Sequence, residues 1–267
     1  MAALTHIAGK YDTDKAIHTH YLRNYEQYFG GVRSEKLRLF ELGIKEGGSL
    51  LLWRDYFPNS LIVGLDIEAV SLNDATGRIR TYQGMQQDTR LLDQIAHENA
   101  PEGFDIIIDD CSHIGELTRI SFWHLFDNHL KPGGLYVIED WSTGYWRTWF
   151  DGVSYNYRPN LKFNRMRFKL RSGISRLQKM RAIARLPLMG QLLERTKRGF
   201  NRRQFYSHDY GLVGFVKELV DECGMADITR ADRGRPPFRS SKFKEIKIVP
   251  GQVFVVKAAE IAEAPTL

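Results

Sequence analysis

Two apolar runs that each end in a pair of acids constrain the fold of this chain most. One run ends at Asp109 and Asp110, and the other ends at Glu139 and Asp140. Uninterrupted apolar runs of this kind are typical of strands buried on both faces of a parallel sheet. Because the carboxyl ends of parallel strands meet at one edge of a sheet, we expect these carboxylates to gather there. Such a concentration of acids needs a cation or a reaction that uses it.

Strand and helix signals alternate along the rest of the chain. The patterns predict strands over 37–42, 61–67, 78–83, 104–110 and 135–140, and helices over 13–29, 49–57, 91–98, 116–129 and 211–223. Two apolar runs within 246–257, on either side of Pro250-Gly251, predict a final antiparallel hairpin. This alternation favours an α/β fold with a doubly wound, Rossmann-like parallel sheet and an antiparallel last strand.

Charge is distributed unevenly, because one segment is strongly basic. Between Asn160 and Phe205 there are fourteen Lys or Arg and a single acid, whereas the rest of the chain carries 24 basic and 31 acidic residues. Apolar residues from Phe163 to Leu177 recur at helical spacing, which predicts a basic helical insertion. It could form a lid, contact a second subunit, pack on its own domain, or bind a membrane surface or polyanion. The sequence leaves these alternatives open.

Composition excludes some classes of protein. The chain is 43% hydrophobic and 26% charged, which is ordinary for a globular domain. No apolar stretch approaches the roughly 18 residues of a membrane span. The N-terminus shows no leader pattern, and Cys111 and Cys223 form no metal-ligand or redox pattern, so we expect a cytoplasmic protein.

A glycine-containing turn after the first predicted strand indicates a ligand site. Gly43 and Gly47 follow Glu41, at a point where the backbone must bend sharply beside a switch in strand order. The spacing is not G-x-G-x-x-G, which weakens a nicotinamide hypothesis. Asp66, at the end of the second strand, could accept both hydroxyls of a ribose. The alternative is a plain turn with a solvated carboxylate.

Several segments together resemble a known family. They resemble class I S-adenosylmethionine-dependent methyltransferases and, more narrowly, are similar to magnesium-dependent O-methyltransferases of macrolide-type sugars. The resemblance covers residues 9–145 and the final strands. The matching segments are Thr13-Asp14-Lys15, His20-Tyr21 with Tyr25, Phe40-Glu41-Leu42-Gly43, Asp66, Gly84 with Gln86 and Asp88, Asp109-Asp110 with Ser112-His113, and Leu130 to Asp140.

The resemblance implies S-adenosylmethionine as cofactor. Its methionine end is expected beside Glu41 and Gly43, under a covering N-terminal helix, its ribose at Asp66, and its adenine beside Gln86 and Asp88. The full expected cofactor set is Thr13, Lys15, Tyr21, Glu41, Gly43, Ser49, Asp66, Ile67, Gln86, Asp88 and Asp109. The chain departs from the family at Met85, where an acid is common, and at Cys111, often glycine.

The resemblance also implies a metal site and a general base. The expected Mg²⁺ ligands are Asp110, Glu139 and Asp140, and the expected catalytic residues are His113, as base, and Asp110. These roles suit the chemistry, because a sugar hydroxyl must lose a proton and have its developing charge stabilised. The alternative is that Asp109 and Asp110 cap a helix and that His113 is an exposed loop residue.

The domain organisation and the acceptor complete the expectations. We expect a covering helix over 1–30, a core over 31–150, the insertion over 151–205, completion of the core over 206–258, and a tail over 259–267. The aromatic segment 141–150 could form a wall for a sugar ring, or its Trp146, Trp149 and Phe150 could simply cover the edge of the sheet.

The expected acceptor is a sugar-containing small molecule or oligosaccharide, such as the substrate of a mycobacterial methylmannose polysaccharide O-methyltransferase. A homo-oligomer and membrane contact through 160–205 are further hypotheses, and nucleic acid is not the expected partner. Two alternatives stay open: a methyltransferase for RNA or a catechol-like diol, and a non-catalytic binding protein that uses the basic insertion.

Overall fold

The computed structural model describes residues 3–146, 148–152, 192, 195, 196, 211–224 and 240–260. The chain divides into two units, Met1–Val153 with Asp209–Leu267, and Ser154–His208. Every strand of the described residues belongs to the first unit. The predicted basic amphipathic helix lies outside the described residues, as does nearly all of the expected insertion.

Helices and strands alternate through the first unit as the sequence predicts. The helices are α1 Ala3–Ala8, α2 Thr19–Phe29, α3 Gly48–Tyr56, α4 Thr89–Asn99, α5 Gly115–Asn128 and α6 Gly211–Gly224. The strands are β1 Arg38–Leu42, β2 Leu61–Asp66, β3 Ile79–Gln83, β4 Phe104–Asp109, β5 Leu130–Glu139, β6 Phe243–Val249 and β7 Gln252–Lys257. Single 3-10 turns lie at Asp14–Ala16, Gly30–Val32, Trp141–Tyr145 and Phe150–Gly152.

The seven strands of the described residues belong to one sheet, in the order β3-β2-β1-β4-β5-β7-β6. The first five are parallel, and β7 runs antiparallel to both of its neighbours, β5 and β6. The prediction of a doubly wound sheet with an antiparallel last strand is therefore confirmed. Strand order reverses between β1 and β4, where ligands bind in open α/β sheets.

Both faces of the sheet are covered by helices. One apolar layer joins α4, α5 and α6 to strand residues such as Phe40 and Ile107, and the other joins α1, α2 and α3 to residues such as Leu39, Ile106 and Ile108. Successive residues of a strand point to opposite faces, so this division assigns every strand residue to a layer. The same alternation decides which acids meet at the edge of the sheet.

Two predicted boundaries are wrong. The helix predicted over 13–29 is interrupted, because His18 has φ −91° and ψ 69° and α2 begins only at Thr19. The strand predicted to start at 135 starts at Leu130, and its pairing with β4 shifts register between Phe104 and Ile106. An irregularity in the hydrogen bonding between β4 and β5 thus accommodates the Pro-Gly-Gly segment, although such a segment is typical of a loop.

None of the helices in the described part of the chain is long and apolar enough to cross a membrane.

Candidate active site

Three acids at the ends of three strands meet at the carboxyl edge of the sheet, on the face covered by α1, α2 and α3. In β1, Glu41 is paired with Ile108 of β4, and Ile108 is paired with Val137 of β5. Asp110 and Glu139 lie two residues beyond these partners, so strand alternation puts all three carboxylates on one face. The convergence follows from the strand register.

The ammonium group of Lys15 lies between these carboxylates. Its Nζ is 2.5 Å from Asp110 Oδ2, 2.8 Å from Glu139 Oε2 and 3.5 Å from Glu41 Oε1. The side chain is only 2% exposed. Burial works against its charge, but the carboxylates outweigh burial and raise the pKa of Lys15 well above the ordinary lysine value. A buried cation therefore compensates the acidic cluster.

Further hydrogen bonds fix two of the acids. Ser49 Oγ and Trp53 Nε1 donate to Glu41 Oε2 at 2.7 and 3.2 Å, and the Tyr25 hydroxyl donates to Glu139 Oε1. The other oxygen of Glu41, Oε1, is buried and accepts no hydrogen bond among the described residues. Glu41 Oε1 thus has the Lys15 ammonium 3.5 Å away but no hydrogen bond, at the place where the resemblance puts the methionine end of a cofactor.

Next to Lys15 lies a second arrangement, which we call the Asp110 cluster: Asp110, His113 and Asp140. His113 Nε2 is 3.9 Å from both Asp110 Oδ1 and Asp140 Oδ2, and one ligand atom from each residue lies within 4.8 Å of the others. His113 and Asp140 both have a positive φ, 53° and 51°. Non-glycine residues rarely adopt this conformation, and it concentrates at functional sites. Tyr21 donates to Asp140 Oδ1 at 2.6 Å.

The imidazole of His113 is largely enclosed, so the alternative of an exposed loop histidine is wrong. Its side chain is 15% exposed, and its ring centroid lies 6.0 Å from that of Trp149. Burial lowers the pKa of His113 below the usual histidine value, although the charges of Asp140 and Glu139 oppose the shift. At neutral pH the ring is therefore neutral and able to accept a proton.

Asp109 lies on the opposite face of the sheet from Asp110. It accepts hydrogen bonds from Ser121 Oγ at 3.0 Å, Tyr136 OH at 3.3 Å and Gln86 Nε2 at 3.4 Å. Burial raises the pKa of Asp109 to about 6. Gln86 Oε1 in turn accepts from the backbone N–H of Ser112. Both Asp109 and Gln86 therefore support the loop that carries His113.

Close backbone contacts form the part of the sheet edge where the cofactor is expected. Gly43 has φ +81°, and a Cβ there would lie 2.1 Å from the Asp110 carbonyl oxygen. A Cβ on Gly48 would lie 1.9 Å from the carbonyl oxygen of Asp12, the residue before Thr13. Glycine at these two positions lets β4 and the N-terminal segment approach the turn between β1 and α3. Thr13 and Lys15 consequently lie over that turn.

Three other expected cofactor residues lie along the ends of β2 and β3. Asp66 Oδ2 accepts from the backbone N–H groups of Ile44 and Lys45, at 2.9 and 2.8 Å. Ile67 is 61% exposed. Asp88 caps α4, where Oδ1 accepts from two backbone N–H groups of the first turn. The proposed ribose and adenine contacts of these residues stay predictions.

The acids and the imidazole fit a hard divalent cation. Carboxylate oxygens are the ligands that Mg²⁺ prefers, and Asp110 and Asp140 each turn an oxygen toward His113. The ammonium of Lys15, which contacts Asp110 and Glu139, already shows that this place binds positive charge. The expected ligand Glu139 lies outside this cluster, is 3% exposed and has both oxygens engaged, by Lys15 and Tyr25. Asp140 is 42% exposed, so the cluster opens to solvent on the Asp140 side.

Sequence reasoning missed two contacts of this region. It assigned Lys15 to the cofactor without its carboxylate partners, since only the fold brings residue 15 beside residues 110 and 139. It also missed Asp151, whose Oδ2 accepts from the backbone N–H groups of Gly115 and Leu212 at 2.6 and 2.9 Å. Asp151 therefore caps α5. One alternative from the sequence was that Asp109 and Asp110 cap this helix. These contacts join residues 36 and 61 positions apart, so no local sequence signal indicates them.

Known proteins of similar sequence and fold are methyltransferases. No protein-family model matches the chain. The chain is 43% identical over 151 residues to mycinamicin VI 2''-O-methyltransferase of Micromonospora griseorubida, covering 54% of this chain and 37% of that enzyme. It is 42% identical over 151 residues to demethylmacrocin O-methyltransferase of Streptomyces fradiae, with the same coverages. It is similar to macrolide sugar O-methyltransferases.

The likeness extends to solved structures. MycE methyltransferase from the mycinamycin biosynthetic pathway, solved in complex with Mg, SAH and mycinamycin VI, matches with a TM-score of 0.62 and 27% identity. The match covers 96% of this chain and 54% of that one. The chain therefore has the methyltransferase fold of MycE and spans about half the length of that protein, and less than two fifths of the two curated relatives.

Proposed function

We propose that this chain is an S-adenosylmethionine-dependent and divalent-metal-dependent O-methyltransferase that acts on a hydroxyl of a sugar or glycoside. The observation that carries the proposal is the Asp110 cluster, which lies beside Glu41 at the carboxyl edge of a methyltransferase sheet. The likeness to enzymes of macrolide sugars supports the acceptor class, and MycE was solved with Mg and SAH.

The metal is assigned to Asp110, Glu139 and Asp140. When bound, a divalent cation would lower the pKa of the acceptor hydroxyl and stabilise the developing alkoxide. Tyr21 and Tyr25 hold Asp140 and Glu139 through their hydroxyls, so the carboxylates are oriented before any ligand arrives. Without a metal, Lys15 compensates the charge of these carboxylates. Its ammonium can also bind the carboxylate of the cofactor, so Lys15 remains a proposed cofactor residue.

His113 is the proposed general base. Its Nε2 faces the space between Asp110 and Asp140, each 3.9 Å away. A hydroxyl placed in that space would have a neutral imidazole within reach to take its proton as the oxygen attacks the methyl carbon. Asp140 and Glu139 would then stabilise the imidazolium. The leaving group is the thioether of the demethylated cofactor, which needs no proton.

Trp149 and Trp146 are the proposed wall for the acceptor. The Trp149 ring lies beside His113, and its Nε1 is buried without a hydrogen-bond partner among the described residues. Trp146 is 53% exposed. An aromatic face next to the base could stack on the apolar face of a sugar ring, while the free indole N–H could donate to a ring hydroxyl.

Methyl transfer to a panel of acceptors tests the proposal. The chain would be incubated with S-adenosylmethionine, Mg²⁺ and rhamnosides, mannosides or macrolide glycosides, and the products analysed by mass spectrometry. We expect a product heavier by one methylene group, and none once EDTA is added. RNA and a catechol serve as parallel acceptors.

Exclusive methylation of RNA or the catechol would replace the sugar assignment. Cofactor binding without transfer to any acceptor would instead favour the non-catalytic alternative. An Asp110→Asn variant controls for contaminating activity, because it keeps the shape of the side chain but removes one proposed metal ligand.

A further inference from the structure

A second group of metal-ligating side chains lies away from the candidate active site. We call it the Asp93 cluster: Asp93 in α4, His124 in α5 and His129, the residue after α5. Asp93 Oδ1 is 2.8 Å from His124 Nε2 and 2.6 Å from His129 Nε2. One ligand atom from each residue lies within 4.8 Å of the others. Two imidazoles thus converge on one carboxylate oxygen.

The Asp93 cluster lies at the opposite edge of the sheet from the Asp110 cluster. The carbonyl of His129 accepts from the backbone N–H of Phe104, the first residue of β4, at 2.7 Å. His129 therefore lies at the amino end of β4, whereas Asp110 follows its carboxyl end. None of the roles proposed for methyl transfer uses these residues.

Local backbone geometry brings the two histidines together. They are five residues apart, so on a continuous helix they would point about 140° apart around the axis. The helix ends at Asn128, and His129 has φ −129° and ψ 0°, which turns the chain back. Their rings lie 5.5 Å apart as a result.

A third imidazole lies next to this pair. The ring of His97, one turn after Asp93 in α4, is 6.0 Å from the ring of His129. Its Nδ1 is 2.7 Å from the carbonyl oxygen of Asp93, which leaves Nε2 outside that hydrogen bond. Two imidazoles and one carboxylate, with a third imidazole nearby, are a donor set that favours Zn²⁺, Cu²⁺ or Ni²⁺ over Mg²⁺.

We propose that the Asp93 cluster is a structural binding site for a transition-metal ion of the Zn²⁺ class. Asp93, His124 and His129 supply three ligands, and His97 or water completes the set. The ion links α4 to the C-terminal end of α5.

Accessibility and spacing both support the site. The side chains of His129, His124 and Asp93 are 13%, 20% and 44% exposed, so an ion can enter from solvent and meet largely fixed imidazoles. Ligand atoms around a tetrahedral Zn²⁺ are roughly 3.3 Å apart, given metal–ligand distances near 2.0–2.1 Å. The observed oxygen–nitrogen distances of 2.6 and 2.8 Å need to lengthen by about 0.7 and about 0.5 Å.

Zn²⁺ binding to the whole chain tests this inference. A chromophoric chelator would compete for Zn²⁺ in the presence of excess Mg²⁺, which occupies the all-oxygen ligands of the other site. We expect one equivalent of tightly bound Zn²⁺, and an affinity weaker by roughly tenfold or more in His124→Asn and in His129→Asn. His6→Asn, which removes an exposed histidine of α1, should leave the affinity unchanged.

Two results would overturn the inference. One is the absence of a stoichiometric Zn²⁺ equivalent in the unmodified chain. The other is loss of that equivalent in His113→Ala together with its retention in His124→Asn, which would assign the ion to the Asp110 cluster. Circular dichroism in EDTA checks that each variant folds. If His129→Asn does not fold, Asp93→Asn gives the same test, because this half-exposed side chain supports less of the core.

Discussion

The Asp110 cluster and the Asp93 cluster have the same kinds of side chain but different surroundings. Each combines carboxylate and imidazole within 4.8 Å. In the Asp93 cluster, both imidazoles already contact the single carboxylate at 2.6 and 2.8 Å. In the Asp110 cluster, the imidazole is 3.9 Å from each of two carboxylates, and buried Lys15 compensates the excess negative charge.

This difference explains why only one of the two clusters suits catalysis. In the Asp93 cluster, the carboxylate already has two imidazole partners. A metal there would replace these hydrogen bonds between α4 and the end of α5 with metal–ligand bonds. The side chains of the Asp110 cluster are held apart from one another by the sheet and by the left-handed backbone at His113 and Asp140. Its separated groups suit the hydroxyl and the hard cation proposed for this site, and Lys15 compensates the charge of the neighbouring acids. Changes to the two clusters should therefore affect different properties, and by different amounts.

Removal of divalent metal should have the largest effect. We expect EDTA to lower methyl transfer to the uncatalysed level, because acceptor activation depends on the cation at Asp110, Glu139 and Asp140. Adding Mg²⁺ should restore the rate. His124→Asn should show the same Mg²⁺-dependent activity as the unmodified chain. Turnover that continues in EDTA would show that the Asp110 cluster works without a metal.

Replacing Lys15 should cost the most stability. Lys15→Met leaves Asp110, Glu139 and Glu41 buried without their cation, and breaking a buried pair in this way costs about 3–5 kcal/mol. Urea unfolding without Mg²⁺ measures the free energy of unfolding. Saturating Mg²⁺ should recover part of the loss, since it neutralises the same carboxylates.

The matched control for Lys15 is Lys36→Met. Lys36 is exposed, so its replacement should change the free energy of unfolding by less than about 0.5 kcal/mol. If Lys15→Met costs no more than Lys36→Met, the acids do not depend on Lys15 for their charge compensation.

Loss of the imidazole at residue 113 should be the next largest effect. We expect His113→Ala to lower kcat by roughly 10² or more, about 2.7 kcal/mol of barrier, because a general base is removed. Calorimetric binding of S-adenosylmethionine should stay within about twofold of the unmodified chain, since His113 is not a proposed cofactor ligand. His124→Asn is again the control. Unchanged turnover in His113→Ala would end the assignment of this residue as base.

Much of the architecture was predictable from the sequence. Apolar runs that end in acids predicted the central strands, and strand alternation explains why Glu41, Asp110 and Glu139 share a face that Asp109 does not. The antiparallel hairpin followed from two apolar runs around Pro250-Gly251. These features depend on local pattern, so a single sequence carries them.

Other features depend on contacts between distant residues and could not be predicted. Nothing near Lys15 indicates that its ammonium lies between Asp110 and Glu139, since the contact requires the N-terminal segment to cross the turn at Gly48. The Asp93 cluster likewise unites residues 31 and 36 positions apart. The Pro-Gly-Gly segment, which is typical of a loop, forms part of β5, because the pairing of β5 with β4 tolerates a shift in register.

The smallest effect should come from the Asp93 cluster without metal. In EDTA, we expect Asp93→Asn to lower the free energy of unfolding by no more than about 1 kcal/mol, because the carboxylate is half exposed and screened by water. With free Zn²⁺ at 100 times its Kd, the unmodified chain should gain about 2.7 kcal/mol, and Asp93→Asn should gain less. Thermal and urea unfolding of both proteins, with and without Zn²⁺, measure the difference. Equal gains would mean that Zn²⁺ stabilises the fold from another place, and the contrast between a hard-cation site and an imidazole site would then be lost.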